Sequence, residues 1–180
     1  MARRQLIPIL ALAGAALAVG APVLALASSG ASHASAELHD AAGAAVGWAD
    51  LTEDATGRLH VNVHVAGISA GLHGIHIHAV GACSPDFNAA GGHHNPGAVV
   101  HGLDTPTGGH AGDLPNLEVN VAGVGHLDAT SDRASLSNGP TTIFDADGSA
   151  LVIHAGPDDQ VTNPTGNSGG RIACGVIVAD

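Results

Sequence analysis

Leu59, Val61, Val63 and Val65 are separated by His60, Asn62 and His64, so apolar and polar residues alternate one for one. Only an extended strand turns that pattern into one apolar and one wet face. Leu117, Val119 and Val121 alternate with Glu118 and Asn120 in the same way. The stretches 151–153 and 172–178 are short apolar runs of the length that buried strands take. Turn chemistry parts these segments at 54–57, 69–71, 138–140 and 145–148, each stretch containing a glycine. No amphipathic helical stretch follows residue 35. The pattern predicts an all-β fold, an antiparallel sandwich or barrel.

Composition says what such a fold has to pack. Trp48, Phe87 and Phe144 are the only aromatic residues among 180, so the core must be built from alanine and β-branched side chains. The length suits one domain. There is no lysine, and five arginines (Arg3, Arg4, Arg58, Arg133 and Arg171) face 16 acidic residues, for a net charge of −11. That balance excludes nucleic acid as a partner, because phosphate binding needs a basic surface.

The first residues read as a targeting segment. Arg3 and Arg4 precede an apolar run from Leu6 to Ala27 that ends in a small-x-small site, Ala25-Leu26-Ala27. Residues 1–27 are therefore expected to be a signal peptide, and the arginine pair also fits the twin-arginine type. Residues 28–35 read as a flexible tether and 36–180 as the working domain. Without 1–27 the chain keeps three of its five arginines and all 16 acidic residues, a net charge of −13. Membrane attachment is expected only if the segment stays uncleaved. Export would leave Cys83 and Cys174, the two cysteines, oxidised.

Chemistry concentrates elsewhere. His76 and His78 lie two apart in an apolar run, so on a strand they share a face. His93, His101, His110, Asp113 and His154 follow, the middle ones in a stretch, 80–114, crowded with glycine, proline and asparagine. Imidazoles with one carboxylate suit zinc and other borderline metals. Loops as long as 80–114 and 155–170 inside a compact domain are usually functional, and metal binding would order them. The remaining histidines read more plainly: His60 and His64 as solvated, His33 and His39 as part of the tether region, His126 as beside a turn. His73, of opposite parity to His76, reads as a packing or hydrogen-bonding residue. Trp48 reads as core or rim.

His76-Ile77-His78, Gly92-His93-His94-Asn95-Pro96, His101-Gly102, His110-Ala111-Gly112-Asp113-Leu114, Leu151-Val152-Ile153-His154 and the stretch from Gly166 to Gly175 occur in the order found in copper-zinc superoxide dismutases. From about Ala36 to Asp180 the chain resembles that family, and most closely its bacterial exported branch. The resemblance implies an antiparallel Greek-key β-sandwich or barrel of about eight strands with two long functional loops. It implies copper on His76, His78, His93 and His154, and zinc on His93, His101, His110 and Asp113, with His93 bridging. It implies that Asp158 links the two sites by hydrogen bonds, that Arg171 is the arginine beside copper, and that Cys83 and Cys174 pair. The implied activity is dismutation of the superoxide anion to O₂ and H₂O₂ in extracytoplasmic antioxidant defence, with Arg171 and His93 in catalytic roles. A homodimer stays open.

The chain departs from the family in three respects. His94 stands where an aromatic or apolar residue is usual, and the register of Gly92 and Asn95-Pro96 assigns the bridge to His93. The loop from Cys83 to His93 is long, and 155–170 is short and has no lysine to steer an anion. Two other functions compete. A copper-buffering module would not need Arg171, and a zinc hydrolase would need a general-base carboxylate that is not apparent beside a three-histidine site.

Overall fold

The computed structural model describes residues 1, 32–106 and 108–180. The signal-peptide expectation for 1–27 lies outside the described residues except for Met1. Among the described residues no helix is long and apolar enough to cross a membrane.

The strands are β1 (His33–Asp40), β2 (Ala45–Glu53), β3 (Leu59–Ala66), β4 (Gly71–His73), β5 (Ile75–His78), β6 (Leu117–Val119), β7 (Val124–Ser131), β8 (Ala150–His154), β9 (Arg171–Val176) and β10 (Val178–Ala179). One short 3₁₀ turn, Phe87–Ala90, is capped by the Asp86 side chain. The antiparallel order is β4-β6-β7-β3-β2-β1-β9-β8-β5, with β10 also on β1. Its outermost members, β4 and β5, are consecutive in the chain and separated by Gly74 alone. The sheet therefore curls until its ends meet, a nearly closed barrel. Sequence neighbours β3 and β4 are held apart by β7 and β6, the crossover of a Greek key. If β4–β5 and β9–β10, each broken at one residue, are counted as single runs, the ten strands among the described residues become eight, in line with the about eight expected.

The inward residues are those the alternation marked. Leu59, Val61, Val63 and Val65 are buried, and they join Leu38, Leu51, Ile75, Ile77, Leu151 and Ile153 in one core. Burying a side chain of this size is worth about 1.5–3 kcal/mol. Three local expectations change. β1 starts at His33, inside the expected tether, because Ala34, Ala36 and Leu38 alternate inward and pair with β2. β6 stops at Val119, and Val121 is wholly exposed, because the Asn120 side chain accepts from the amides of Ala122 and Val124 and makes a turn. His126 is on β7, not beside a turn. Its ring packs tilted against His64, which packs tilted against Trp48, with centroids 4.3 and 4.4 Å apart. His64 is thus half-covered, and Trp48 lies on the outer face.

Candidate metal centre

Four residues of β5 are buried on both faces, which an ordinary barrel strand is not. Ile75 and Ile77 enter the core, while His76 and His78 face the other way, under the loop that follows β5. That loop lies along the strand. Asp113 sits opposite His76 and His93 opposite His78 in bridge geometry. The amide of Ile77 donates to Gly112 O at 2.9 Å, and that of His94 donates to Ile77 O at 2.8 Å. Gly112 has to be glycine, since a Cβ there would come within 2.1 Å of Ile77 O. His154 ends β8, whose ladder to β5 pairs His76 with Val152.

The backbone sets the tautomer of His78 and His154, Asp158 that of His76 and His101, and Asp113, 2.8 Å from Nδ1, that of His93. The Nδ1–H of His78 donates to Gly91 O at 3.0 Å, and that of His154 donates to Gly169 O at 3.1 Å. The Nε2–H of His76 donates to Asp158 Oδ2 at 2.6 Å, and that of His101 donates to Oδ1 at 3.1 Å. In each ring the opposite nitrogen is left with its lone pair. His76 Nδ1, His78 Nε2, His93 Nε2, His101 Nδ1 and His154 Nε2 are buried without a hydrogen-bond partner. Buried polar atoms rarely go unpaired, and such atoms gathered on neighbouring rings are what a cation site requires. His76, His78, His93 and His154 present donor atoms within 4.8 Å of one another, as do His93, His101, His110 and Asp113. In the second group Asp113 Oδ1 is 2.8 Å from His93 Nδ1 and 3.4 Å from His110 Nδ1, and His93 Nδ1 and His110 Nδ1 are 3.3 Å apart. Tetrahedral bonds of ~2.0–2.1 Å imply edges of ~3.3 Å between ligand atoms. The donors fit zinc in the second group and an imidazole-preferring redox metal such as copper in the first.

Electrostatics keep the donors free. Burial pushes the imidazoles of His76, His78 and His154 down to about 3, 2 and 4, so all three are neutral at physiological pH. Burial alone would raise Asp113, but hydrogen bonds from His93 and the amides of Gly102 and His110 hold its carboxyl well below the usual range. Asp158, buried between His76 and His101, is likewise lowered by their hydrogen bonds against the effect of burial.

Arg171 enters from β9, across the ladder from His154. Its guanidinium donates to Phe87 O and Gly91 O, each at 2.5 Å. Gly91 O therefore serves both Arg171 and His78. Burial lowers the guanidinium from its ordinary value and the Asp86 carboxylate opposes that, yet an arginine remains a cation at neutral pH. Cys83 and Cys174 form a disulfide, Cα atoms 5.9 Å apart, that ties this loop to β9. Beside it a groove of about 880 Å³ is lined by Arg171, Asp86, Phe87 and Glu37.

All residues singled out from the sequence for this site come together. His94 does not join them. It is buried on the other side of its segment, where Nε2 lies 3.4 Å from Thr141 O. His73 is buried and donates from Nδ1 to His154 O at 2.7 Å. Sequence reasoning missed Arg133, which donates to the carbonyls of His110 and Asp113. No spacing rule could have found it, because its acceptors are backbone atoms.

A nearly closed β barrel carrying two adjacent four-donor clusters with one imidazole common to both defines a dinuclear metalloprotein. A family model described as copper/zinc superoxide dismutase matches residues 45–177. The Cu-Zn superoxide dismutase of Deinococcus radiodurans is 40% identical over 176 residues, 91% of this chain and 93% of that one. Superoxide dismutase-like protein YojM of Bacillus subtilis is 41% identical over 147 residues, 80% of this chain and 75% of that one. The crystal structure of a SOD-like protein from Bacillus subtilis superposes with a TM-score of 0.75 at 40% identity, covering 80% of this chain and 97% of that one. The chain belongs to the copper/zinc superoxide dismutase family: it is a metalloenzyme of the superoxide dismutase class, and its cofactors are copper and zinc.

Proposed function

We propose that this chain dismutates superoxide outside the cytoplasm. In this reading His76 Nδ1, His78 Nε2, His93 Nε2 and His154 Nε2 would hold copper, and the Nδ1 atoms of His93, His101 and His110 with Asp113 would hold zinc, His93 being the residue common to both. The observation that carries the reading is that His93 offers Nε2 to one cluster and Nδ1 to the other.

Two superoxide anions and two protons become O₂ and H₂O₂. Copper, when bound, supplies the one-electron exchange, while zinc changes no oxidation state. The protein supplies the rest. Arg171, pinned by two carbonyls, holds a fixed positive charge where the anion docks, so no reorganisation is needed on arrival. His93 holds or releases a proton at Nε2, the atom facing the copper cluster. Asp158 keeps His76 and His101 in the tautomers that leave Nδ1 free, which couples the orientation of the two sites. The disulfide and the apolar run after Arg3-Arg4 support an oxidising, extracytoplasmic location. Arg171 favours an enzyme over a copper buffer, which has no use for a cation beside its metal.

Metal analysis with a dismutation assay tests this. One copper and one zinc per chain are expected, and Asp113→Ala should lose zinc first because Asp113 belongs to the second cluster alone. Equal loss of both metals from that variant would sink the ligand split.

A further inference from the structure

The two clusters are not supported equally by the fold. The copper-side residues His76, His78 and His154 stand on β5 and β8, where ladder hydrogen bonds fix the backbone. The residues private to the zinc side, His101, His110 and Asp113, all stand on a loop. The bridge of Asp113 to His76 and the backbone bonds of Gly112 to Ile77 and His94 hold only one side of this loop, so the rest of its order before metal arrives must come from elsewhere.

Loop 132–145 supplies it. Arg133 donates from Nε to His110 O at 3.3 Å and from Nη2 to Asp113 O at 3.2 Å. These two carbonyls bracket the turn 110–113, which the Asp113 amide closes by donating to His110 O at 3.3 Å. The guanidinium thus spans the turn that presents two zinc donors. Arg133 is itself anchored. Its amide donates to Ser131 Oγ at 3.1 Å, and Ala134, Leu136 and Ile143 of the same loop are buried in the barrel core. The amides of Leu136 and Ser137 and the Ser137 hydroxyl donate to the Glu53 carboxylate at 2.6, 2.8 and 2.6 Å. Asp132, the one carboxylate within salt-bridge reach among the described residues, is 4.0 Å away and mostly exposed. Such a contact binds an arginine weakly. The directed bonds of Arg133 go to the ligand turn.

We propose that Arg133 is a positioning residue of the zinc site, holding the turn 110–113 in its metal-binding shape from a brace, loop 132–145, that is locked to the barrel. This rests on the assignment of zinc to the cluster of His93, His101, His110 and Asp113.

The test is competition of the folded, metal-free protein with a chelator for zinc and, separately, for copper. Arg133→Ala is expected to bind zinc about 10-fold more weakly or worse, the loss typical of removing a partner that orients a ligand, with copper affinity unchanged. Arg133→Lys keeps the charge but not the two-pronged geometry, and should recover part of the loss. Amide exchange at Gly112 and Asp113 should quicken in Arg133→Ala without metal. Val61→Ala, a cavity in the core at a residue of β3 with no hydrogen bond to this turn, shows what general destabilisation does to zinc affinity. Unchanged zinc affinity in Arg133→Ala overturns the proposal, and so does equal weakening of both metals or a zinc loss matched by Val61→Ala. If Arg133→Ala does not fold, Arg133→Lys decides: wild-type zinc affinity and wild-type exchange at 112–113 would refute the role. Retention of zinc by Asp113→Ala would instead show that the site assignment, not the brace, is wrong.

Discussion

His93 and His94 are adjacent, identical in kind and both buried, yet only one faces the clusters. Neighbours on an extended segment point to opposite sides, so one must look inward and the other toward loop 132–145. His93→Ala is expected to change the copper absorption spectrum and uncouple the two metals. His94→Ala should leave metal content and spectrum alone and cost about 1–3 kcal/mol of stability, measured by denaturant unfolding, as a buried contact is lost. The reverse pattern would move the bridge to His94. Residue type, and for His76 and His78 their spacing, marked the candidate donors, because coordination demands particular side chains; their division between two metals came only from resemblance. Asp158 was legible only by resemblance. The detail at Gly166 was not visible at all: at φ +60° it passes so close that a Cβ would stand 1.8 Å from Asp158 Oδ1. Close approach of backbone to a side chain has no signature in composition.

Elements were legible where one face is made of large residues. β3, β5, β8 and β9 could be read from alternation or from apolar runs. β7 could not, because glycine, alanine and serine share its inward face with Leu127. β1 hid its first turn inward behind alanines for the same reason. The loop after β5 depends less on such patterns than on its ties. The disulfide closes a separation of 91 residues, for which the chain-entropy account gives about 4–5 kcal/mol. It also holds the stretch whose carbonyls at Phe87 and Gly91 grip Arg171. Replacing Cys83 and Cys174 together by serine should lower the unfolding midpoint and slow turnover while both metals stay bound. Turnover at the wild-type rate would show that Arg171 does not depend on the disulfide for its place.

At the scale of the whole molecule the net charge of −11 opposes an anionic substrate. On the proposed function, attraction is then local to Arg171 and the metals. Substituting Arg171 by a neutral residue should lower the rate at low superoxide without loss of metal. For the unaltered protein, raising salt from ~0.01 M to ~0.1 M shortens the Debye length from ~30 to ~10 Å and screens the acidic surface as well as the arginine. The rate should stay flat or rise over that range, and a steep fall would mean an attractive field dominates. The metal-free protein should respond to pH in a definite direction. His76, His78 and His154 titrate lower when folded than the ordinary 6.5, so the unfolded chain binds more protons between those values. Stability is complete above about 6.5 and falls as pH drops toward 4. Thermal unfolding of the metal-free protein from pH 7.5 to 4.5 should show that slope, and a constant midpoint would contradict it.

β5 ends the sheet, with a ladder to β8 on one side and the ligand loop on the other. Through Gly92, His94 and Gly112 the loop occupies hydrogen-bonding groups of Ile77 and Ala79 that an end strand would otherwise offer to any passing chain. An uncovered, apolar end strand is a template for intermolecular pairing. The segment that collects the metals is therefore also the guard against self-association. Displacing that segment would bare the backbone groups of Ile77 and Ala79 as well as scatter the metal donors.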